Sequence, residues 1–136
     1  MTHDEARRRF AAARVARLAT AGADGRPHLV PITFAVVGDT VYSAVDSKPK
    51  RTTALRRLAN VRDNPRVAVL VDHYDDDWSR LWWVRADGSG RVLDPGDAEA
   101  RTAVGELARR YPQYRSEPPA GPVLAGDVDR WTGWSA

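Results

Sequence analysis

Residues 14–50, RVARLATAGADGRPHLVPITFAVVGDTVYSAVDSKPK, contain the pattern that decides the fold. Their apolar and β-branched runs predict three consecutive strands, over residues 15–20, 26–37 and 40–45. The turn signals Ala23-Asp24-Gly25 and Gly38-Asp39 separate these runs and predict antiparallel hairpins. Pro31 interrupts the second run, so we expect an edge strand or a bulge there, with backbone groups left available for another partner.

The rest of the chain predicts helices alternating with further strands. We expect helices over residues 3–13, from Thr52 or Thr53 to Val61, and over 97–111, with Thr2 and Glu5 at capping-box spacing. Strands are expected over residues 66–72, 81–86 and 90–93, and Val123-Leu124 followed by residues 128–134 suggests one last strand. An Asp87-Gly88 turn would join the middle pair, and the Pro-rich segment 112–122 reads as irregular. No βαβ unit carries GxGxxG, so the pattern favours a small β-barrel with peripheral helices, in a single domain over residues 1–136.

The composition of the 136 residues excludes several classes of protein. Cysteine is absent, which excludes disulfides, thiolate metal sites and thiol nucleophiles. No stretch approaches the roughly 20 apolar residues of a membrane-spanning helix. The first residues, MTHDEARRRF, lack the apolar run of a secretory signal. We therefore expect a cytoplasmic protein with no membrane partner.

The positive charge is concentrated near the middle of the chain. Residues 48–66 carry seven basic groups and one acid, although the net charge of the whole chain is only +3. Both lysines of the protein, Lys48 and Lys50, fall there and are followed by Arg51. Three cations before a helix N-terminus, with the hydroxyls of Thr52 and Thr53, predict a cradle for a phosphate. The same residues are equally typical of a solvated basic loop with a threonine cap.

Metal and nucleophilic chemistry have little support in the sequence. His3, His28 and His73 are far apart, and Asp75-Asp76-Asp77 lacks the glycine and the bidentate glutamate of an EF-hand. We therefore expect no metal site, and no motif of a serine or cysteine nucleophile is present. His28 is the histidine best placed to line a site, because it lies near the Pro31 irregularity. If the protein is an enzyme, a bound cofactor must carry the chemistry.

Five tryptophans occupy the second half of the chain: Trp78, Trp82, Trp83, Trp131 and Trp134. Adjacent strand residues point to opposite faces, so Trp82 and Trp83 are expected on different sides of a sheet. Packing in a core or in a dimer interface accounts for most of the five. Stacking of a planar ring on Trp78 or Trp131 is the alternative.

Residues 14–50, together with DNPRVAVLVDHYDDDW at 63–78 and WWVRADGSGRVL at 82–93, resemble a known family. They are similar to the split β-barrel flavin and deazaflavin oxidoreductases, which are pyridoxamine 5′-phosphate oxidase-like proteins. The resemblance covers residues 4–134 and is greater to the actinobacterial deazaflavin-dependent branch. The chain ends in RWTGWSA and so lacks the C-terminal Arg-x-His motif of the long oxidases.

The resemblance implies a mainly β homodimer of six-stranded antiparallel split β-barrels of the FMN-binding type, with a cofactor in each of two interface clefts. Two strands would flank the tricyclic ring of the cofactor. The first would contribute His28, Val30, Pro31, Ile32 and Thr33, and the second would contribute Ser43, Ala44 and Val45. Lys48, Lys50, Arg51 and Thr52 match the positions that hold the cofactor phosphate, and Thr53 adjoins them. The partner subunit would close the cleft with Trp78 and Trp131.

The resemblance also implies a function. A reduced deazaflavin, coenzyme F-420, would exchange hydride with a small unsaturated or oxidised organic substrate. An FMN-binding relative of the same fold is the first alternative. Alternatives of another class are a cofactor carrier without turnover and a nucleic-acid-binding module, although the acidic second half of the chain opposes wide contact with nucleic acid.

Overall fold

One curled antiparallel sheet forms the body of the protein. The structure is a computed structural model that describes residues 1–45 and 51–136, with the backbone alone for residues 51–55. Its sheet has seven strands in the order β2-β1-β5-β6-β7-β4-β3. The strands are β1 Ala16–Ala21, β2 Pro27–Ile32, β3 Ala35–Val37, β4 Thr40–Ala44, β5 Arg66–His73, β6 Trp82–Leu93 and β7 Val123–Ser135. The mainly β fold is confirmed, but the expected count of six strands is wrong.

Two of the expected strand boundaries are also wrong. The expected strand over residues 26–37 is two strands, β2 and β3, which are separated at Thr33 and Phe34. The break lies beyond Pro31, which is paired opposite Arg17 of β1. The edge position is confirmed, because β2 is the last strand at one side of the sheet. The missing N–H of a proline is tolerated at such an edge.

The expected turn at Asp87-Gly88 is absent, because β6 continues through it as one strand. Asp87 pairs with Arg130 of β7 and Gly88 pairs with Val128, so Asp129 is an extra residue in a β-bulge. A Cβ atom at position 88 would collide with the backbone carbonyl oxygen of Asp127, which explains the glycine. The expected last strand is confirmed as β7, which runs without a break from Val123 to Ser135.

In the described residues, four α-helices and one short 3-10 helix surround the sheet. They are α1 His3–Ala12, α2 Arg51–Asp63, α3 Ala98–Arg110 and α4 Pro112–Ser116, with the 3-10 turn at Trp78–Arg80. The predicted cap of α1 is confirmed, since the Thr2 side chain accepts a hydrogen bond from the Glu5 N–H at 3.1 Å. Helix α4 replaces part of the segment expected to be irregular, and Pro112 occupies its first turn. No helix in the described part of the chain is long and apolar enough to cross a membrane.

The buried apolar residues of the described chain form two cores, one on each side of the sheet. Helices α1 and α2 contribute Phe10, Leu58 and Val61 to the inner core, which also contains Phe34 and Trp131. Helix α3 packs on the outer face of β3, β4 and β7 and forms the second core there. The described helices thus fill the inside of the curled sheet and cover one half of its outside.

Candidate functional site

Two strand edges lie open at opposite ends of the sheet. Strand β2 pairs with β1 alone among the described strands. Strand β3 pairs with Thr40–Tyr42 of β4, so Ser43 and Ala44 extend beyond it. Thr33 and Phe34 join β2 to β3 directly, which keeps the two open edges close along the chain. Backbone N–H and C=O groups at such edges lack a ladder partner and are available to a ligand.

The side chains predicted to flank a ring differ in exposure. Ile32 and Ser43 are buried and line a small internal cavity of about 10 Å³. Ala44 is buried in the core beneath α3, so these three residues can offer a ligand only their backbone. His28, Val30, Thr33 and Val45 are half-buried, and Pro31 is exposed.

His28 carries a buried polar atom without a partner. Its Nδ1 has no hydrogen-bond partner among the described residues. Across the strand pair from His28 lies Thr20, whose hydroxyl accepts a bond from the Asn60 side chain of α2 at 3.1 Å. Buried polar atoms are nearly always paired, so the orphaned nitrogen is a point at which a bound group could supply the missing bond.

Helix α2 begins at Arg51, next to the predicted phosphate cradle. Its first turn contains no acidic residue, and its unpaired N–H groups favour an anion. Thr52 and Thr53 fall inside the first turn, so the expectation that either one caps the helix is wrong. Lys48 and Lys50 lie outside the described residues, as do the side chains of Arg51, Thr52 and Thr53.

The bend between β2 and β3 is held by the end of α3 and by α4. The Tyr111 hydroxyl accepts a bond from the Phe34 N–H at 3.2 Å and donates to the Arg14 carbonyl oxygen at 2.9 Å. Arg110 donates to the Phe34 carbonyl oxygen at 2.8 Å. The hydroxyls of Thr33 and Tyr114 lie 2.8 Å apart in a hydrogen bond. Sequence reasoning did not identify Tyr114, because the segment that carries it gave no periodic signal.

The two tryptophans assigned to the partner's side of the cleft occupy different environments. Trp131 is buried in its own core, 5.1 Å from the Phe10 ring, and its Nε1–H donates to Asp39 at 3.0 Å. Trp78 is 69% exposed, and its Nε1 lies 3.4 Å from the Tyr74 hydroxyl. The ring of Trp131 therefore has little surface to offer a ligand, whereas the ring of Trp78 is free to contact one.

The outer face of β2, β1, β5 and β6 is covered by no helix in the described chain; we call it the uncovered face. It holds an open groove of about 660 Å³, in which Leu29 is 68% exposed and Leu70 is 36% exposed. Trp83 also lines this groove, whereas Trp82 packs against the inner core, as expected for neighbours on a strand. Arg17 pairs with Asp72 at 3.5 Å and Arg85 with Asp87 at 2.9 Å, so the charges of the uncovered face are matched within it.

Comparisons with known proteins agree with this architecture. The family model described as pyridoxamine 5′-phosphate oxidase matches residues 2–135. A 5a,11a-dehydrotetracycline/5a,11a-dehydrooxytetracycline reductase from Streptomyces rimosus is 33% identical over 101 residues, which cover 71% of this chain and 68% of that protein. The match extends over most of both chains.

Solved structures share the fold at lower sequence identity. A conserved hypothetical protein from Mycobacterium tuberculosis superposes with a TM-score of 0.76 at 24% identity, over 99% of this chain and 85% of that one. A FAD-binding protein from Mesorhizobium loti gives a TM-score of 0.70 at 21% identity, over 98% of this chain and 94% of that one. The curled sheet with peripheral helices is therefore a split-barrel fold.

Proposed function

Because this chain belongs to the pyridoxamine 5′-phosphate oxidase family, we propose that it is an oxidoreductase dependent on coenzyme F-420, a deazaflavin. It would transfer hydride between the reduced cofactor and a small unsaturated or oxidised organic substrate. One observation carries the proposal: the Streptomyces rimosus relative, 33% identical over 101 residues, is named as a reductase of an organic molecule. FMN is the alternative cofactor, since its phosphate and ring resemble those of the deazaflavin.

Three features of the described residues support the proposal of a planar ring with a phosphate. A ring edge that carries donors and acceptors matches the unpaired backbone of the open edges at β2 and at Ser43–Ala44. The orphaned Nδ1 of His28 supplies a further polar contact. The start of α2 provides N–H groups for the phosphate. Residues proposed to hold the cofactor are His28, Val30, Pro31, Ile32, Thr33, Ser43, Ala44, Val45, Lys48, Lys50, Arg51, Thr52, Thr53 and Trp78.

The chain's own residues would act by binding and orientation. A bound reduced deazaflavin supplies the hydride, so the protein needs no nucleophile of its own. Lys48, Lys50 and Arg51 hold the phosphate as charge-assisted donors. The open strand edges fix the plane of the ring, which sets the distance to the substrate.

A second copy of the chain would complete the cleft. The uncovered face exposes Leu29 and Leu70, and the charged side chains beside them already form ion pairs. Burying this face in a dimer would therefore leave few charged groups without a partner. Trp78 lies in the connection between β5 and β6 and is 69% exposed, so we propose that it contributes to the cleft of the partner subunit. We expect light scattering to give the mass of a dimer, and a monomer at micromolar concentration would contradict this part of the proposal.

The first test is a titration of the purified protein with coenzyme F-420 and, separately, with FMN. Tryptophan fluorescence reports the binding, and we expect coenzyme F-420 to bind more tightly. The reverse preference moves the protein to the flavin branch. If neither binds, the proposed function fails, and salt-dependent binding of nucleic acid becomes the next test.

The second test concerns turnover. Reduced coenzyme F-420 is mixed with the protein and 5a,11a-dehydrotetracycline, the compound in the name of the relative, and with simpler unsaturated compounds. Reoxidation of the cofactor, followed by its absorption, supports an enzyme. Tight cofactor binding with no reoxidation by any compound supports a carrier without turnover.

The phosphate cradle is tested by substitution. We expect Lys50→Ala to weaken cofactor binding by about 1–3 kcal/mol, because a charge-assisted hydrogen bond to the phosphate is lost. Arg62→Ala is the matched control, since Arg62 lies in the last turn of the same helix. Unchanged affinity in both Lys48→Ala and Lys50→Ala would contradict the cradle.

A further inference from the structure

The two ends of the curled sheet are joined by a very short connection. Strands β2 and β3 are the first and the last in the order of the sheet, yet Thr33 and Phe34 alone separate them along the chain. We call the opening between these two end strands the split. The proposed ligand site uses the open edges on both sides of the split, so the fit of a ligand depends on how far apart these edges are held.

Residues 110–114, where α3 ends and α4 begins, hold the side of the split that carries β1 and β2; we call them the corner. Arg110 donates a hydrogen bond to the Ala13 carbonyl oxygen, and the Tyr111 hydroxyl donates to the Arg14 carbonyl oxygen at 2.9 Å. The Arg14 side chain donates in return to the Arg110 carbonyl oxygen at 2.9 Å. Because Ala13 and Arg14 lie just before β1, these bonds fix the start of that strand.

The corner also holds the side of the split that carries β3 and β4. The Phe34 N–H donates to the Tyr111 hydroxyl at 3.2 Å, and Arg110 donates to the Phe34 carbonyl oxygen at 2.8 Å. The hydroxyls of Thr33 and Tyr114 are hydrogen-bonded at 2.8 Å. Phe34 is 0% exposed, so both of its backbone polar groups need partners, and the corner supplies them.

Arg110 spans the split with one side chain. Its Nη1 bonds the Phe34 carbonyl oxygen on one side, and its Nη2 bonds the Ala13 carbonyl oxygen on the other. A guanidinium presents its donors in a rigid planar fork, whereas the ammonium group of a lysine is a single point of charge. The guanidinium also lies over the rings of Phe34 and Tyr111, 4.9 and 5.4 Å from their centres. The fork therefore sets the distance between the two carbonyl oxygens.

We propose that Arg110 and Tyr111 are positioning residues for the ligand of the split, because they fix the separation of its two open strand edges. The proposal rests on the proposed function, which places a planar ring against those edges. Neither residue has to touch the ring. Edges that are already held at the right separation lose little conformational freedom when the ring binds, and this preorganisation raises the affinity.

The first test measures the split without a ligand. The sequence contains no cysteine, so Arg26→Cys and Val37→Cys provide two unique sites for spin labels. Both residues are exposed; Arg26 precedes β2 and Val37 ends β3, so both lie away from the bend, where a change in separation is largest. The labelled protein is mixed with an excess of unlabelled protein, and pulsed electron paramagnetic resonance then measures the distance within one copy.

Two variants of the corner are compared with two matched controls. Arg110→Lys keeps the charge but removes the fork, and its control is Arg109→Lys, an exposed neighbour on the same helix. Tyr111→Phe removes the hydroxyl, and its control is Tyr42→Phe, because both tyrosines are 7% exposed in the same core and Tyr42 bonds Glu99 at the other end of α3. We expect broader distance distributions in the corner variants alone. Unchanged distributions in both corner variants overturn the proposal.

A titration with coenzyme F-420 then relates the separation of the edges to binding. We expect each corner variant to bind about tenfold more weakly or worse, and each control to bind like the wild type. Saturating cofactor should narrow the distance distribution of the corner variants again, because the ring itself then sets the separation. Broad distributions together with unchanged affinity would show that the corner supports the fold and does not position the ligand.

The inference and the proposed function fail in different experiments. A wild type that binds neither coenzyme F-420 nor FMN contradicts the proposed function, and the role of the corner in binding falls with it. The spin labels still decide, without any ligand, whether the corner sets the separation of the edges. If circular dichroism shows that Tyr111→Phe is unfolded, Arg110→Lys and its control Arg109→Lys decide the question.

Discussion

The two halves of the outer surface of the sheet differ in what covers them. Over β3, β4 and β7, helix α3 buries Tyr42, Ala44, Val123 and Ala125 beneath Leu107. Over the uncovered face the same strand alternation presents Leu29 and Leu70, which remain exposed. One half therefore completes its core within the chain, whereas the other half leaves apolar side chains exposed.

A network of hydrogen bonds lies at the edge of the half of the sheet that α3 covers. The described residues of the uncovered face form no network of that size. Arg91 of β6 holds Glu99 of α3 through two bonds, of 3.0 and 2.8 Å, and holds Asp127 of β7 at 2.7 Å. Tyr42 of β4 donates to Glu99 at 2.7 Å. These bonds tie the start of α3 to three strands. The half under α3 is thereby fixed by contacts within the described chain, whereas the uncovered face is the half that we propose to associate with a second copy.

The largest expected effect is on the free energy of unfolding, when a residue in the core beneath α3 is truncated. Leu107→Ala removes a side chain that is 0% exposed, and we expect the free energy of unfolding to fall by about 2–5 kcal/mol. Leu29→Ala removes the same atoms from an exposed position, and we expect far less loss when the protein is diluted to monomer. Denaturant unfolding measures both variants. Equal losses in dilute monomer would show that the two halves do not differ as described.

The second largest expected effect is on formation of the proposed dimer. Leu29→Lys places an ammonium group in the proposed dimer interface, and we expect the dimer to weaken at least tenfold, about 1.4 kcal/mol or more. Val37→Lys is the matched control, because Val37 is an exposed apolar residue of β3, outside the uncovered face. Sedimentation across a concentration series gives the dissociation constants. Dimers of equal strength in both variants would place the interface elsewhere.

The sequence predicted most strands but missed features set by distant contacts. The alternation of apolar and polar residues, together with the turn residues, was sufficient to predict β1, β4 and β5. The break at Thr33 and Phe34 was missed, because it is held by Tyr111, which lies 77 residues further along the chain. The Asp87-Gly88 dipeptide favours a turn locally, but pairing with β5 on one side and β7 on the other keeps it in a strand.

The candidate site was predictable only where one local segment forms it. His28, Thr33 and the residues that open α2 were proposed as site residues from residues 14–53 and a family resemblance, and they stay a prediction. Tyr114 was not identified, because its role depends on α4 returning to the bend after a separation of 81 residues. For Trp131 the sequence left core packing and stacking on a ring both open, because the choice depends on pairing of β7 with β6, which buries this ring.

The smallest expected effect concerns pH and the network at α3. Hydrogen bonds from Arg91 and then Tyr42 lower the pKa of Glu99 from 4.5 to about 2. Burial, together with the bond to Glu99, raises the pKa of Tyr42 from 10.0 to about 12. The Glu99 contribution to stability is therefore present above pH 4.5 and is lost as the pH falls toward 2. The Tyr42 contribution is present below pH 10 and is lost as the pH rises toward 12.

Glu99→Gln separates this network from the general acid sensitivity of the protein. At neutral pH we expect the variant to be less stable by no more than about 1 kcal/mol, since the pair is partly exposed and screened by solvent. The difference from the wild type should shrink between pH 4.5 and 2, where the wild-type carboxylate takes up a proton. Glu106→Gln is the control, because Glu106 pairs only with Arg109 on the surface of the same helix among the described residues. Thermal unfolding across this pH range measures all three proteins, and a difference that persists undiminished at pH 2 would show that Glu99 acts through its shape and not through its charge.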